Sequence, residues 1–168
     1  MTATTTHSAV VSFPADTQIL ITRDFNAARH LVYRAHVEPE LIKRWWAGER
    51  GQVDSVEVDL RVGGRWRYVM TANGGFEVAF HGEYREIVPD ERIVCTEVFE
   101  GVPNGSEPDA VDPAIVTYTL TELDGRTRLS VLTEVSSKQV RDMIIETGME
   151  GGMQEGMDAL EKVAISLA

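Results

Sequence analysis

From Val53 to Val135 the hydrophobic side chains recur at every second position, and short turn signals cut the alternation at close intervals. Val56, Val58 and Leu60 alternate with Glu57, Asp59 and Arg61, and Gly63-Gly64 follows as a turn. Trp66, Tyr68 and Met70 then alternate with Arg65, Arg67 and Val69, up to a second turn at Asn73-Gly74-Gly75. Phe76, Val78, Phe80 and Tyr84 share a phase, with Gly82 in the gap. Pro89-Asp90 is a third turn, Ile93 to Phe99 another strand, and Gly101 to Pro113 a loop with three prolines. Ala114 to Leu123 and Thr127 to Val135 flank a tight Asp124-Gly125 turn. Hairpin-like succession of this kind dictates an antiparallel sheet.

The flanks are different. Thr17 to Arg23 reads as one further strand, which brings the total to about seven. Asn26 is an N-cap type, and Ala28, Leu31, Val32 and Ala35 fall on one helical face behind it. Pro39 suits the first turn of a second short helix whose apolar side is Leu41, Ile42, Trp45 and Trp46, ended by Gly48. From Ser136, where Ser136 and Gln139 fit a capping box, the period returns to that of a helix. Val140, Met143 and Ile144 open an apolar stripe that Met149, Met153, Met157, Leu160, Val163 and Leu167 continue past a bend or break at Gly148. A sheet with one apolar face needs cover, and this long terminal helix supplies it. The expectation is an α+β helix-grip fold: a curved antiparallel sheet of about seven strands around a long C-terminal helix, with two short helices after the first strand. Residues 1–15, rich in Thr and Ser, are expected to be a mobile tail, and 16–168 a single domain.

Bulk properties exclude several classes of function. The net charge is −11, from 27 acidic and 16 basic side chains, so a phosphate backbone is repelled and nucleic acid is not an expected partner. Arg61, Arg65 and Arg67 lie close together but suit a solvated strand face. Cys95 is the one cysteine, so no disulfide forms within the chain, and it reads as a small buried hydrophobe. His7, His30, His36 and His81 lack metal-ligand spacing, and no dinucleotide or phosphate-loop motif is present, so neither metal nor cofactor is expected. No run approaches the roughly 18 apolar residues of a membrane span, and no signal sequence is recognisable. A cytoplasmic protein is the expectation.

The order of elements, with Phe25-Asn26-Ala27, Glu38-Pro39-Glu40, Arg44-Trp45-Trp46 and Asp59 to Gly64, resembles the START-like (SRPBCC) superfamily. Gly82-Glu83-Tyr84 before Pro89, Arg92 to Glu97, and Gly148 to Met153 add to the likeness. Within the superfamily, the chain is most similar to the group named after the C-terminal domain of the heat-shock-protein-ninety ATPase activator, over roughly residues 17–168. The resemblance implies a cavity between the concave sheet face and the long helix. It covers ligand carriers, polyketide aromatase/cyclases and co-chaperone domains. The co-chaperone's separate N-terminal domain has no counterpart in these residues.

Strand phase proposes which side chains face that cavity: Val56, Val58, Leu60, Trp66, Tyr68, Met70, Phe76, Val78, Phe80, Tyr84, Val116, Tyr118 and Leu120. As ligand contacts the expected set is Trp46, Trp66, Tyr68, Met70, Phe80, Tyr84, Phe99, Met149 and Met153. Buried tyrosine hydroxyls need partners, and several converging ones suit a polar ligand group or water. Gly151, Gly152 and Gly156 either leave a void beside the methionines or bring the helix close to the sheet. Glu97 shares its phase with Ile93, Cys95 and Phe99; pointing inward, it is a carboxyl in an apolar setting and a candidate acid or base, with Tyr118 beside it. In the opposite phase it is merely solvated. His81 falls outside unless Gly82 marks a bulge. Three functions follow: binding of a small hydrophobic or aromatic molecule; a cyclase, dehydratase or hydrolase using the same cavity without metal or cofactor; or a protein-interaction domain contacting a chaperone.

Overall fold

The computed structural model describes residues 8–100 and 113–168; the loop expected at Gly101–Pro113 falls outside them except for its last residue. Eight strands form one sheet: β1 (Val10–Ser12), β2 (Gln18–Phe25), β3 (Gly51–Val58), β4 (Arg65–Ala72), β5 (Glu77–Val88), β6 (Arg92–Glu100), β7 (Ala114–Leu123) and β8 (Arg126–Glu134). Their spatial order is β1-β2-β8-β7-β6-β5-β4-β3, and every pair is antiparallel. The short helices α1 (Arg29–Val37) and α2 (Pro39–Ile42) follow β2, and α3 (Lys138–Glu146) and α4 (Met149–Ser166) end the chain. This is the expected helix-grip arrangement, with one strand more than the alternation indicated.

The extra strand is β1, inside the stretch read as a tail. Val10–Ser12 pair with Leu20–Thr22 of β2. Ala9 is buried, and its amide donates to Gln154 Oε1 of α4 at 3.0 Å while its carbonyl accepts from Gln154 Nε2 at 2.8 Å. Three residues are too few to show a period, so local pattern could not announce them.

The core follows from alternation. On β2, Ile19, Ile21, Arg23 and Phe25 point inward. Leu129 and Val131 of β8, Val116 and Leu120 of β7, Val32 and Ala35 of α1, and Leu160, Val163 and Ala164 of α4 join them in one cluster. Arg23 is the exception to apolar burial. Its Nη1 meets Asp158 Oδ1 at 2.7 Å and its Nη2 meets Glu161 Oε1 at 3.2 Å, so two α4 carboxylates compensate the buried charge. That pair fixes the helix to the sheet at a defined rotation.

Several local expectations shift. α1 begins at Arg29 behind Ala28, which offers no side-chain cap; Asn26 instead gives its backbone N–H to Glu161 Oε2 at 2.9 Å. The cap of α3 is Ser137 rather than Ser136, its hydroxyl accepting from the Val140 amide at 3.2 Å. Gly148, at φ +78°, breaks the terminal helix in two, a conformation that suits glycine. α3 buries none of its residues, so the grip belongs to α4 alone. Leu60 and Phe76, expected inside, are exposed, because β3 ends at Val58 and β5 starts at Glu77, leaving both in the connecting turns.

Candidate functional site

The inner face of β4–β7 carries a cluster of aromatic rings, where the inner face of β2 and β8 is mainly aliphatic. Register explains how the rings assemble. Tyr68 of β4 lies opposite Phe80 of β5, and Phe80 lies opposite Phe99 of β6. Phe80 and Phe99 sit 5.0 Å apart, centroid to centroid, and Trp66 and Tyr68, two residues apart on one strand, 4.8 Å apart. The turns after α2 bring Trp46 edge-on against Tyr68 at 5.4 Å and Phe80 at 5.7 Å. Trp45 turns the other way, donating its indole N–H to the Ala35 carbonyl at 2.8 Å. Of the Trp45-Trp46 pair, then, one anchors the turn to α1 and the other joins the ring cluster.

Glu97 stands on the inner side of β6, two residues from buried Cys95. Burial pushes its carboxyl up to about 7, and no hydrogen bond or ion pair holds it among the described residues. Its charge in turn raises the tyrosines around it. Tyr68, Tyr84 and Tyr118 are all pushed above the ordinary phenol range, first by burial and then by neighbouring acidic groups, with Glu97 acting on Tyr68 and Tyr118. The Tyr68 and Tyr84 hydroxyls are close enough to influence each other's titration. Burial also lifts the Cys95 thiol to about 12, which keeps it protonated and unreactive at neutral pH.

Two features of this neighbourhood were not foreseen. His36, on the buried side of α1, packs against Tyr118 and Trp45 with ring centroids 5.5 Å away in each case. Its Nδ1 lies 2.8 Å from the Val32 carbonyl; as donor there it leaves Nε2 as a free acceptor, and burial lowers the pKa so that the ring is neutral. The signal was its i+4 spacing from Val32 on the apolar face. The second is the Trp66 indole N–H, buried with no hydrogen-bond partner. The Cys95 sulfur is near enough to feel it but too poorly placed to accept. Gly82 makes this proximity possible: a Cβ there would collide with the Thr96 carbonyl and stand 2.7 Å from Trp66 Nε1.

Burial divides the site from the core. Trp66, Met70, Tyr84, Ile93 and Cys95 are closed to solvent. Trp46, Tyr68, Phe80, Glu97, Tyr118, Met149 and Met153 each keep some accessible surface, and Phe99 is 41% exposed. On α4 the closed residues run from Gly156 to Ala164, while Met149 and Met153 in the first two turns only partly close. The helix glycines do not open a void toward the sheet. Gly151 and Gly152 face the Arg50 side chain, and Gly156 faces the backbone carbonyls of Trp45 and Trp46. They let the tryptophan turn approach α4, a contact that Arg50 and Glu155 close with a 2.9 Å ion pair.

The outer face carries a separate group. Glu100 accepts from Arg67 through both carboxylate oxygens at 3.1 Å, and His81 Nδ1 lies 2.7 Å from Glu100 Oε2. The hydrogen bond from Arg67 holds Glu100 below its ordinary range. A shallow hollow of about 290 Å³ runs over these residues with Glu57 and Arg65. The bulge on β5 falls between Tyr84 and Glu86, beyond Gly82, so His81 keeps its outward phase. Among the described residues no group of acidic, histidine or cysteine side chains could hold a metal ion, and no helix is long and apolar enough to cross a membrane.

Solved structures share this architecture. A protein of Rhodobacter sphaeroides superposes with a TM-score of 0.83 at 19% identity, covering 95% of this chain and 99% of its own. One from Mycobacterium smegmatis gives 0.80 at 22% identity, covering 92% and 96%, and one from Chromobacterium violaceum gives 0.74 at 28% identity, covering 89% and 98%. No curated protein matches the chain. The family model described as Activator of Hsp90 ATPase homolog 1-like protein matches residues 26–164, from the turn before α1 nearly to the end of α4, and the chain belongs to that family.

Proposed function

We propose that this chain binds a small aromatic or hydrophobic molecule between the inner face of β4–β7 and the first half of α4. The observation that carries the reading is a mismatch. Tyr68, Glu97 and Tyr118 are desolvated strongly enough to shift their titration, yet each retains accessible surface. Side chains that are deep but still reachable by water line clefts, whereas core side chains are deep and closed. Trp46, Phe80 and Phe99 offer ring faces and edges, Met149 and Met153 adaptable apolar surface, and Tyr68 and Tyr118 orienting hydroxyls. The cytoplasm is the compartment we assign to this activity.

A second reading keeps the site and adds chemistry. A carboxyl poised at about 7 exchanges protons efficiently at neutral pH, so Glu97 with Tyr118 could serve a cyclisation or dehydration as acid and base. Binding is tested by the intrinsic fluorescence of Trp46 and Trp66 during titration with a panel of bicyclic aromatic compounds, and by native mass spectrometry of protein purified from its own host. Saturable quenching that Trp46→Ala or Phe80→Ala weakens supports the cleft. No response to any compound, with no co-purifying small molecule, refutes it. Turnover of a bound polyketide-like substrate that Glu97→Gln abolishes would establish the enzyme reading.

A further inference from the structure

We propose that the ligand of this cleft is an aromatic amine, with its protonated nitrogen seated on Glu97 and its rings against Trp46, Tyr68 and Phe80. The inference rests on the binding reading above and names the class of molecule that site selects.

Glu97 is an acid without a base. A carboxylate set among aromatic rings is costly unless a cation or several donors compensate it. Among the described residues nothing does. Guanidinium groups on the neighbouring elements are committed elsewhere: Arg67 of β4 to Glu100 on the opposite face of the sheet, Arg50 to Glu155, and Arg23 to Asp158 and Glu161. The contrast with Arg23 is instructive. Where this fold buries a charge for structural reasons it supplies two counter-charges, 2.7 and 3.2 Å away. At Glu97 it supplies none, so the missing positive charge is the ligand's to bring. The rings beside Glu97 suit the same guest, since aromatic faces attract cations. The net charge of −11 draws cations toward the protein in general.

Among the described residues of this neighbourhood, Glu97 is the group whose charge changes near neutral pH. Cys95 on its own strand, Tyr68 on β4, Tyr84 on β5 and Tyr118 on β7 are all pushed upward and stay protonated. His36 of α1, behind Tyr118, is pushed downward and stays neutral, and α4 contributes the uncharged Met149 and Met153. An amine guest therefore binds better as pH rises through about 7, when Glu97 ionises.

The test uses the full chain and three probes of one shape: 2-naphthylmethylamine, 2-naphthylmethanol and 2-naphthoate, titrated calorimetrically at pH 6 and pH 8. A charge-assisted contact predicts that the amine binds at least about tenfold tighter than the alcohol at pH 8, with the carboxylate weakest. The preference should shrink several-fold at pH 6, where the amine is still charged and Glu97 is largely protonated. In Glu97→Gln the amine and alcohol should bind alike. If the alcohol matches the amine in the wild type, or the carboxylate binds best, the amine assignment is overturned while the cleft stands. If the amine preference survives in Glu97→Gln, the charge lies elsewhere and the assignment falls. If none of the probes binds, the assignment and the cleft reading fall together. Should Glu97→Gln not fold, the wild-type pH comparison decides alone.

Discussion

Replacing Glu97 with Gln should make the folded protein more stable at pH 8, an unusual outcome for a buried polar substitution. The carboxyl titrates near 7 in the folded chain against an ordinary value of 4.5, because burial disfavours the charged form. The folded state thus binds this proton more tightly than the unfolded state does. Stability from Glu97 is fully present below about pH 4.5 and is lost as pH rises through about 7. At about 1.4 kcal/mol per pH unit, a gap of that size is worth about 3 kcal/mol at most. Glu97 keeps partial access to water, so half of that, about 1.5 kcal/mol, is the reasonable expectation. Gln keeps the shape without the charge. Urea unfolding of both proteins, followed by tryptophan fluorescence from pH 4 to pH 8.5, isolates the effect in the difference between them, since other titrating groups cancel. The difference should be near zero at pH 4 and grow in favour of Gln to about 1.5 kcal/mol by pH 8. A flat difference curve would show that Glu97 does not titrate abnormally. A curve of opposite sign would show that the carboxylate is stabilised by a counter-charge, and the argument for a missing cation would collapse.

Gly82→Ala should cost about 2–4 kcal/mol or prevent folding, measured by urea unfolding, because the new methyl meets the Thr96 carbonyl, which belongs to the sheet and cannot yield. Glu161→Ala should cost about 3 kcal/mol by the same assay, since it removes a counter-charge from buried Arg23 and the acceptor of the Asn26 amide together. Gly152→Ala should be neutral or stabilising by up to about 1 kcal/mol, as its Cβ meets only the Arg50 side chain at ordinary contact distance and the helix gains from alanine. A loss above 1 kcal/mol there would place the helix differently against the tryptophan turn.

What the sequence disclosed and what it withheld follow one physical rule. Period-two alternation reports which face a strand buries, and it identified Trp66, Tyr68, Phe80 and Tyr84 as sharing a side because each sits in a strand of eight residues or more. The same reasoning failed for Leu60 and Phe76, where the strand had already ended and alternation no longer fixed direction. β1 was invisible because its partner, β2, supplies the order that its three residues lack. Caps moved by one or two residues for a related reason. Asn26 and Ser136 are competent caps, but tertiary bonds claimed the Asn26 amide and the chain geometry selected Ser137. His36 escaped notice because a histidine on an apolar helix face says nothing until the facing strand is known. The glycines of α4 suggested space, yet their neighbours are Arg50 and the Trp45–Trp46 backbone, which are distant in sequence.

The uneven burial of the inner face bears on how the proposed site could vary without loss of stability. The seven largest wholly buried side chains include Phe25, Ile19, Leu129, Leu160 and Val32, which tie β2, β8, α1 and the second half of α4 together. None of them comes from β4, β5 or β6. Substitution in the first group opens cavities and costs several kcal/mol. Side chains such as Tyr68, Phe80, Phe99 and Met153 already meet solvent, so altering them removes less burial and, on the proposed reading, reshapes the binding surface instead. The Arg23 pair with Asp158 and Glu161 lies on the closed side and holds α4 in register whatever happens at the aromatic end. Gly148 separates α3, none of whose residues is buried, from α4. Stability and the proposed recognition would thereby rest on different residues of one sheet and one helix. A carboxyl as desolvated as that of Glu97 is tolerable in this arrangement because the largest wholly buried side chains lie on other strands and helices.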